Sequence, residues 1–178
     1  MPYSIGLYFD QKTDSLVRDL WKSLAVKELA SYYHQSGNRP HITMGVFNDI
    51  NLSKAEKLLL QTSQSLKPIS LSFQQIGIFP SPVGTVFWGP VVTKNLLDFQ
   101  LNLYKRFYKF SVQSEMSFYK PDNWIPHIGL AMDIEDISVI PQIVKLCQTL
   151  PNPHLGTVIE IGLISFRPVK QLLNFPLT

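Results

Sequence analysis

The sequence has a single cysteine, Cys147, among its 178 residues. One thiol cannot form an internal disulfide, and a zinc site built on paired cysteines is excluded as well. A chain without disulfides is typical of a reducing compartment, so a cytoplasmic protein is expected. Residues 1–4 carry neither a basic leader nor a long apolar core, and no secretion signal is predicted.

Charged residues are scarce: they make up 16% of the chain, where about 25% is usual. The 16 basic and 13 acidic side chains leave a formal net charge of only +3. That charge is too small to hold a long nucleic acid duplex by phosphate neutralisation alone. The hydrophobic share of 45% is ordinary and excludes a disordered chain. A chain of this length buries a sizeable core without a staple, so residues 1–178 are predicted to form a single, monomeric domain.

Long apolar runs are missing, and the one extended uncharged stretch, residues 68–93, is not typical of a membrane span. It contains four prolines and two adjacent glutamines, which favour two buried strands joined by a turn. No membrane association is therefore predicted. A glycine-rich phosphate loop after a strand is also missing, so neither a Rossmann nor a P-loop fold is supported.

Hydrophobic periodicity predicts a mixture of strands and helices. Strands are predicted at residues 3–9, 42–47, 69–79, 85–92, 125–132, 157–166 and 171–175. Helices are predicted around 16–24, from Ser53 onward in a capping box, over 96–108 and around 140–147. Short strands joined by proline-containing turns favour antiparallel sheets with helices outside, an α+β fold.

Two segments of the chain resemble each other: residues 39–46, RPHITMGV, and residues 125–132, IPHIGLAM. Each contains Pro-His-Ile followed by alternating small and apolar residues. His127 falls within a predicted strand, and His41 directly precedes the one predicted at 42–47, whose alternation it continues. Because alternate side chains of a strand share a face, each histidine lies on a face of small or polar residues. A ligand can approach closely there.

Two imidazoles that oppose each other across a phosphate suit general acid–base chemistry at phosphorus. A neutral imidazole accepts a proton while a protonated one donates to the departing oxygen, and each transfer contributes roughly 10²–10⁴-fold. The hydroxyl of Thr43 is placed to bind a non-bridging phosphate oxygen. This scheme requires no metal and no other cofactor, and none is predicted.

The motifs RPHIT, with His41 and Thr43, and WIPHIGLA, with His127, resemble those of the two-histidine (2H) phosphoesterase superfamily. Within it the likeness is to the bacterial 2'-5' RNA ligase and cyclic phosphodiesterase group, and it extends over nearly the whole chain. The resemblance implies a bilobal fold, with two pseudo-symmetric lobes of antiparallel sheet and outer helices around a central cleft. Each lobe supplies one His-x-Thr/Ser motif.

The same resemblance implies metal-independent hydrolysis of 2',3'-cyclic phosphates in nucleotides or at RNA ends, or the reverse 2'-5' ligation. An RNA end or a cyclic nucleotide is then the partner. By analogy with the family, His41 is the proton donor and His127 is the proton acceptor.

Gly129 stands where the second motif of the family has threonine or serine. Loss of one preorganised donor typically lowers a rate by 10²–10³-fold. Gly129 is still a candidate for phosphate binding, because a missing side chain lets a ligand approach the backbone. A neighbouring hydroxyl such as that of Tyr119 is one source of compensation. The alternative is a module that binds nucleotides or RNA ends with weakened or lost catalysis.

Roles for several other residues follow from their sequence context. Arg39 shares the strand parity of His41, so it either pairs with the phosphate or only anchors the strand. Trp124 is predicted to pack behind the second motif. Phe79 and Trp88 belong either to the core or to a platform on which a base stacks. His34 and His154 are predicted to lie in loops, exposed to solvent and without a functional role. The basic residues Lys105, Arg106 and Lys109 are predicted to form an exposed helix face, also without a role.

Overall fold

The structure, a computed structural model, describes residues 2–80 and 83–178. The strands are β1 (Tyr3–Phe9), β2 (His41–Ile50), β3 (Ile69–Phe79), β4 (Gly84–Pro90), β5 (Ser111–Gln113), β6 (Ile128–Ile134), β7 (His154–Ser165) and β8 (Lys170–Pro176). The helices are α1 (Gln11–Val26), α2 (Tyr32–Gln35), α3 (Leu52–Ser65), α4 (Lys94–Tyr108) and α5 (Ile140–Cys147). The loop predicted between β3 and β4 includes residues 81 and 82, which lie outside the described residues.

The strands pair in a ring in which every pairing is antiparallel: β1, β2, β6, β4, β3 and β7, with β7 returning to β1. Strand β8 extends the ring at β7, and β5 extends it at β2. The ring has two seams. At one seam β2 and β6 meet through a single pair, Ile42 opposite Ile128. At the other, the long strand β7 changes partner at Val158, from β3 to β1.

These seams divide the molecule into two lobes. The first lobe contains β1, β2, β8 and the second half of β7, and the second contains β3, β4, β6 and the first half of β7. The predicted α+β fold with two lobes of antiparallel sheet is confirmed.

The helices cover the outer surfaces of the strands. Helices α3 and α4 pack against the first lobe, whereas α1 and α5 pack against β6 of the second. Helix α1 shows why: its buried side chains Val17, Leu20, Trp21 and Leu24 recur at helical spacing, so one stripe enters the core. None of the helices in the described part of the chain is long and apolar enough to cross a bilayer.

Several predicted boundaries differ from the structure by a few residues, and two of the differences have a clear local cause. Helix α3 begins at Leu52, because the side chain of Asn51 accepts a hydrogen bond from the Lys54 amide at 3.0 Å. Asn51 is as good a cap as Ser53, and it lies two residues earlier. Strand β6 begins at Ile128 rather than at residue 125, since Pro126 has no amide hydrogen for the ladder.

The prediction that His154 lies in an exposed loop is wrong. It begins β7 and is only 4% exposed. Its Nε2 lies 2.9 Å from the Thr13 hydroxyl, and its ring stacks on that of Trp88. Burial lowers the pKa of His154, so the residue joins α1 to β7 as a neutral imidazole. Trp88, 2% exposed, belongs to the core and not to a base platform.

Candidate functional site

A pocket of about 480 Å³ lies between the two lobes. Both predicted histidines, together with Thr43 and Gly129, line it. Aromatic side chains form much of the remaining wall: Trp21, Tyr32, Tyr33, Phe79, Phe118, Tyr119 and Phe166. The pocket therefore combines a small polar centre with broad apolar walls, as ligand sites for small molecules commonly do.

The two Pro-His-Ile segments lie side by side at the seam between β2 and β6. Ile42 faces Ile128 in the antiparallel register, and both side chains are fully buried. Because side chains alternate, the residues on either side of each isoleucine point to the opposite face, toward the pocket. The register places His41 level with Gly129, and Thr43 level with His127.

Each histidine is oriented by the main chain two residues before it. Nδ1 of His41 lies 2.6 Å from the Arg39 carbonyl oxygen, and Nδ1 of His127 lies 2.7 Å from that of Ile125. A carbonyl oxygen only accepts, so Nδ1 carries the proton in both rings. The nitrogen left to exchange a proton with a ligand is therefore Nε2 in each case.

Burial lowers the pKa of both histidines below the ordinary value of 6.5. For His41 the positive charges of His127 and Arg39 lower the pKa further, against the opposing effect of the carbonyl hydrogen bond. Both rings are thus mainly neutral at pH 7 without a ligand. An anionic phosphate between them favours the charged form, and so raises the pKa of the ring that donates a proton.

Aromatic side chains hold the histidine rings in place. The His127 ring meets Phe79 edge to face, with centroids 4.9 Å apart, and lies 5.3 Å from Phe87. Gly77 provides the room for Phe87, because a Cβ at this position would overlap the phenyl ring. Phe79 lines the pocket and is not one of the buried core residues, and its role as a platform for a base stays a prediction.

Each motif is fixed by a tryptophan from elsewhere in the chain. The indole of Trp124 donates to the Thr43 carbonyl at 2.8 Å, and the indole of Trp21 donates to the Gly129 carbonyl at 3.0 Å. Trp124 therefore supports the first motif through a hydrogen bond that its sequence context does not predict. The partners of these bonds are separated by 81 and 108 positions in the sequence, so no local pattern predicts the bonds.

A tyrosine lies beside each histidine motif. Tyr119 lies beside the Thr43 side chain, whose hydroxyl opposes the effect of burial on the Tyr119 pKa. Tyr33 lies over Gly129: a Cβ built on this glycine would overlap the Tyr33 hydroxyl and ring. The space that Gly129 leaves is thus filled by Tyr33, so the side chain beside Gly129 is not that of Tyr119.

The Tyr33 ring is held firmly. It stacks on Trp21 with centroids 4.9 Å apart and planes 12° apart. Among the described residues, its hydroxyl makes one hydrogen bond, to the Met132 sulfur at 3.7 Å. Sequence reasoning missed Tyr33, because the helix that carries it, α2, is four residues long and has no apolar stripe.

Arg39 points away from the pocket. Its guanidinium forms a salt bridge with Glu160 and lies 4.3 Å from the centre of the Tyr8 ring. Arg39 is not among the residues that line the pocket, so the structure favours the anchoring role over a contact with phosphate.

Arg167 is a pocket residue that the sequence analysis did not select. It is the only lysine or arginine among the described residues that line the pocket. Its side chain is exposed, and the described residues offer it no hydrogen bond or ion pair. Its backbone is left-handed, with φ at 63°, a strain that proteins tend to retain at ligand sites. Within residues 2–80 and 83–178, no three His, Cys, Asp or Glu side chains form a metal-binding group.

Comparison with solved structures identifies the same fold over the whole chain. TT0787 of Thermus thermophilus has a TM-score of 0.64 at 14% identity, covering 99% of this chain and 98% of that one. Escherichia coli LigT complexed with 3'-AMP has a TM-score of 0.59 at 18% identity, covering 100% and 99%. Kluyveromyces marxianus Usb1 has a TM-score of 0.52 at 12% identity, covering 97% of each chain.

Two sequence comparisons gave different results. No curated protein matches this chain. The sequence model of the 2'-5' RNA ligase superfamily, in contrast, matches residues 14–168, which include both histidine motifs, Tyr33 and Arg167. The chain belongs to the 2'-5' RNA ligase superfamily.

Proposed function

We propose that this protein is a metal-independent phosphoesterase that opens 2',3'-cyclic phosphates of nucleotides or RNA ends. The same site is suited to the reverse reaction, in which a 2'-5' bond forms. One observation carries the proposal: both Nδ1 atoms are engaged by main-chain carbonyls, so the two Nε2 atoms serve one pocket. Oriented imidazoles on one phosphate are what acid–base catalysis needs.

In the hydrolytic direction, a water oxygen attacks phosphorus and one P–O bond of the cyclic phosphate breaks. Nε2 of His127 takes the proton from the water, and Nε2 of His41 gives its proton to the departing ribose oxygen. The product is a nucleoside 2'- or 3'-monophosphate, and the two histidines have exchanged protonation states. The hydroxyl of Thr43 donates to a non-bridging oxygen as negative charge accumulates there.

The substrate class is supported by the pocket and by the structural neighbours. LigT has been solved with 3'-AMP and with ATP, and Usb1 with uridine monophosphate. The aromatic walls of this pocket are suited to a nucleobase. Because one chain supplies both motifs, we propose that a monomer is sufficient for activity. A cytoplasmic location is proposed from the single cysteine.

The direct test incubates the purified protein with 2',3'-cyclic AMP and with a short RNA that ends in a cyclic phosphate, both in excess EDTA. Release of a monoester, followed by phosphorus NMR, supports the proposal. Binding of 3'-AMP without turnover favours the alternative, a module that has lost catalysis through the change at Gly129. Activity that disappears in EDTA and returns with a divalent cation contradicts the metal-independent scheme.

The pH dependence follows from the lowered histidine pKa values. Catalysis requires one protonated and one neutral ring, so kcat/KM is expected to be bell-shaped, between two apparent pKa values that belong to the pair. Burial lowers the pKa of each ring below its ordinary value of 6.5 in the free protein. We therefore expect an optimum of kcat/KM on the acidic side of 6.5 and a decline as pH rises. An optimum above pH 7.5 would contradict this assignment.

Arg167→Gln is expected to weaken substrate binding and to spare the chemical step. The exposed guanidinium attracts the phosphate without reaching the reacting atoms, so KM should rise about 3- to 10-fold at low salt while kcat stays within about twofold. The effect should shrink at high ionic strength. Arg106→Gln, on the exposed face of α4 outside the pocket, is the matched control. Equal KM values in both variants would rule out a role for Arg167.

A further inference from the structure

The hydroxyl that the second motif lacks has a replacement in the structure. Gly129 takes the position of threonine or serine in His-x-Thr/Ser, and the Tyr33 hydroxyl lies where a side chain at 129 would be. We infer that the Tyr33 hydroxyl is the phosphate-oxygen donor of the second motif, supplied from α2 in place of the absent threonine. This inference rests on the proposed function of the same pocket.

Without a ligand, the Tyr33 hydroxyl is only weakly engaged and is available to donate to a phosphate oxygen. The thioether of Met132 is a weak acceptor, so a phosphate oxygen competes with it readily. Hydrogen bonds to charged acceptors are roughly twice as strong as neutral ones. Burial raises the pKa of Tyr33 well above its ordinary value of 10, so the phenol keeps its proton throughout the working range.

The arrangement around Tyr33 is also preorganised. Stacking on Trp21 fixes the ring, and the same indole donates to the Gly129 carbonyl, so ring and motif are positioned by one side chain. A donor held by its surroundings needs no reorganisation when charge develops on the phosphate. Thr43 is served in the corresponding way by Trp124, which binds its carbonyl. The two halves of the site thus supply one hydroxyl each, from different residue types.

Glycine at 129 follows from this arrangement. A threonine at 129 would overlap the tyrosine ring, so the two hydroxyl donors exclude each other. Gly129→Thr alone is therefore expected to displace Tyr33 and to lower activity, although it recreates the family motif. The substitution should restore function only where the tyrosine has been removed.

The test compares kcat/KM for 2',3'-cyclic AMP in five variants that retain the wild-type circular dichroism spectrum. Tyr33→Phe keeps the ring and should lose roughly 10- to 100-fold, the effect of one hydrogen bond to a charged group. Tyr33→Ala should lose at least as much. Tyr33→Ala/Gly129→Thr should recover to within about tenfold of wild type, whereas the isosteric Tyr33→Ala/Gly129→Val should not. Tyr108→Phe, an exposed tyrosine outside the pocket, is the control and should be unchanged.

A Tyr33→Phe variant as active as wild type overturns the inference, and so does equal recovery by the threonine and valine double variants. If the wild-type protein shows no turnover, the proposed function fails, and calorimetric binding of 3'-AMP decides the role of Tyr33. Weaker binding by Tyr33→Phe, by about tenfold, supports the inference, whereas equal affinity overturns it. A wild-type protein that neither reacts with the cyclic substrate nor binds 3'-AMP removes the phosphate site and the inference with it.

Discussion

Alanine at either histidine is expected to lower kcat for 2',3'-cyclic AMP by 10²–10⁴-fold, because each ring transfers one proton through Nε2. The kcat of the double variant His41→Ala/His127→Ala should be only slightly lower than that of the less active single variant. The effects of substituting two groups that act in one step are strongly non-additive. The measurement is the steady-state rate in EDTA. His34→Ala, an exposed histidine on α2 that does not line the pocket, serves as the control.

A second substrate separates the acid from the base. Bis(4-nitrophenyl) phosphate has a leaving group that departs without protonation, so the variant that lacks the general acid should lose much less activity on it. With His41 as the donor, His41→Ala is the variant that recovers, and His127→Ala stays impaired on both substrates. The opposite pattern would exchange the two roles and leave the pair intact. Single variants with wild-type kcat would contradict acid–base catalysis by these histidines.

Thr43→Val is expected to lower kcat/KM by 10²–10³-fold, the usual effect of removing one preorganised donor. Valine keeps the branched shape on β2 and removes only the hydroxyl, so the fold should be preserved. Thr43→Ser restores the hydroxyl and should remain within about tenfold of wild type. An isosteric substitution without effect would show that the phosphate does not bind at this hydroxyl.

Tyr119→Phe tests whether Tyr119 binds the phosphate itself or only positions the Thr43 hydroxyl. The Tyr119 hydroxyl lies beside the Thr43 side chain and influences it from there, so its removal should lower kcat/KM by less than Thr43→Val does. In the double variant, Tyr119→Phe should have almost no further effect, because residues in one network are coupled. Independent, additive losses would place Tyr119 on the substrate instead.

Much of the architecture could be predicted from local patterns. The capped, amphipathic stripe of α1 is visible within a few residues, because burial of one face imposes the period. The alternation of residues 3–9 also predicts β1, although the structure buries this strand on both faces. The pairing of the two histidines was also predictable, since the Pro-His-Ile segments repeat. The structure places His41 at the start of β2 and His127 directly before β6, and these two strands meet at Ile42 and Ile128.

What could not be predicted depends on contacts between distant parts of the chain. Nothing near Gly129 in sequence indicates that a tyrosine from α2 fills its side-chain space. Nothing near Thr43 indicates that Trp124 holds its carbonyl. His154 follows Asn-Pro, a turn signal, and only the tertiary fold shows that it binds buried Thr13. Arg39 has the same strand parity as His41, which favours a contact with the ligand. Its charge is instead paired with Glu160 on β7, a strand far away in the sequence.

The most direct measurement is a crystal structure of the protein with 3'-AMP bound. We expect the phosphate to lie between the lobes, with oxygens within about 3.2 Å of Nε2 of His41 and of Nε2 of His127. The Thr43 and Tyr33 hydroxyls should each contact a further oxygen. A nucleotide whose phosphate binds elsewhere in the pocket, out of reach of either Nε2, would contradict the two-histidine mechanism.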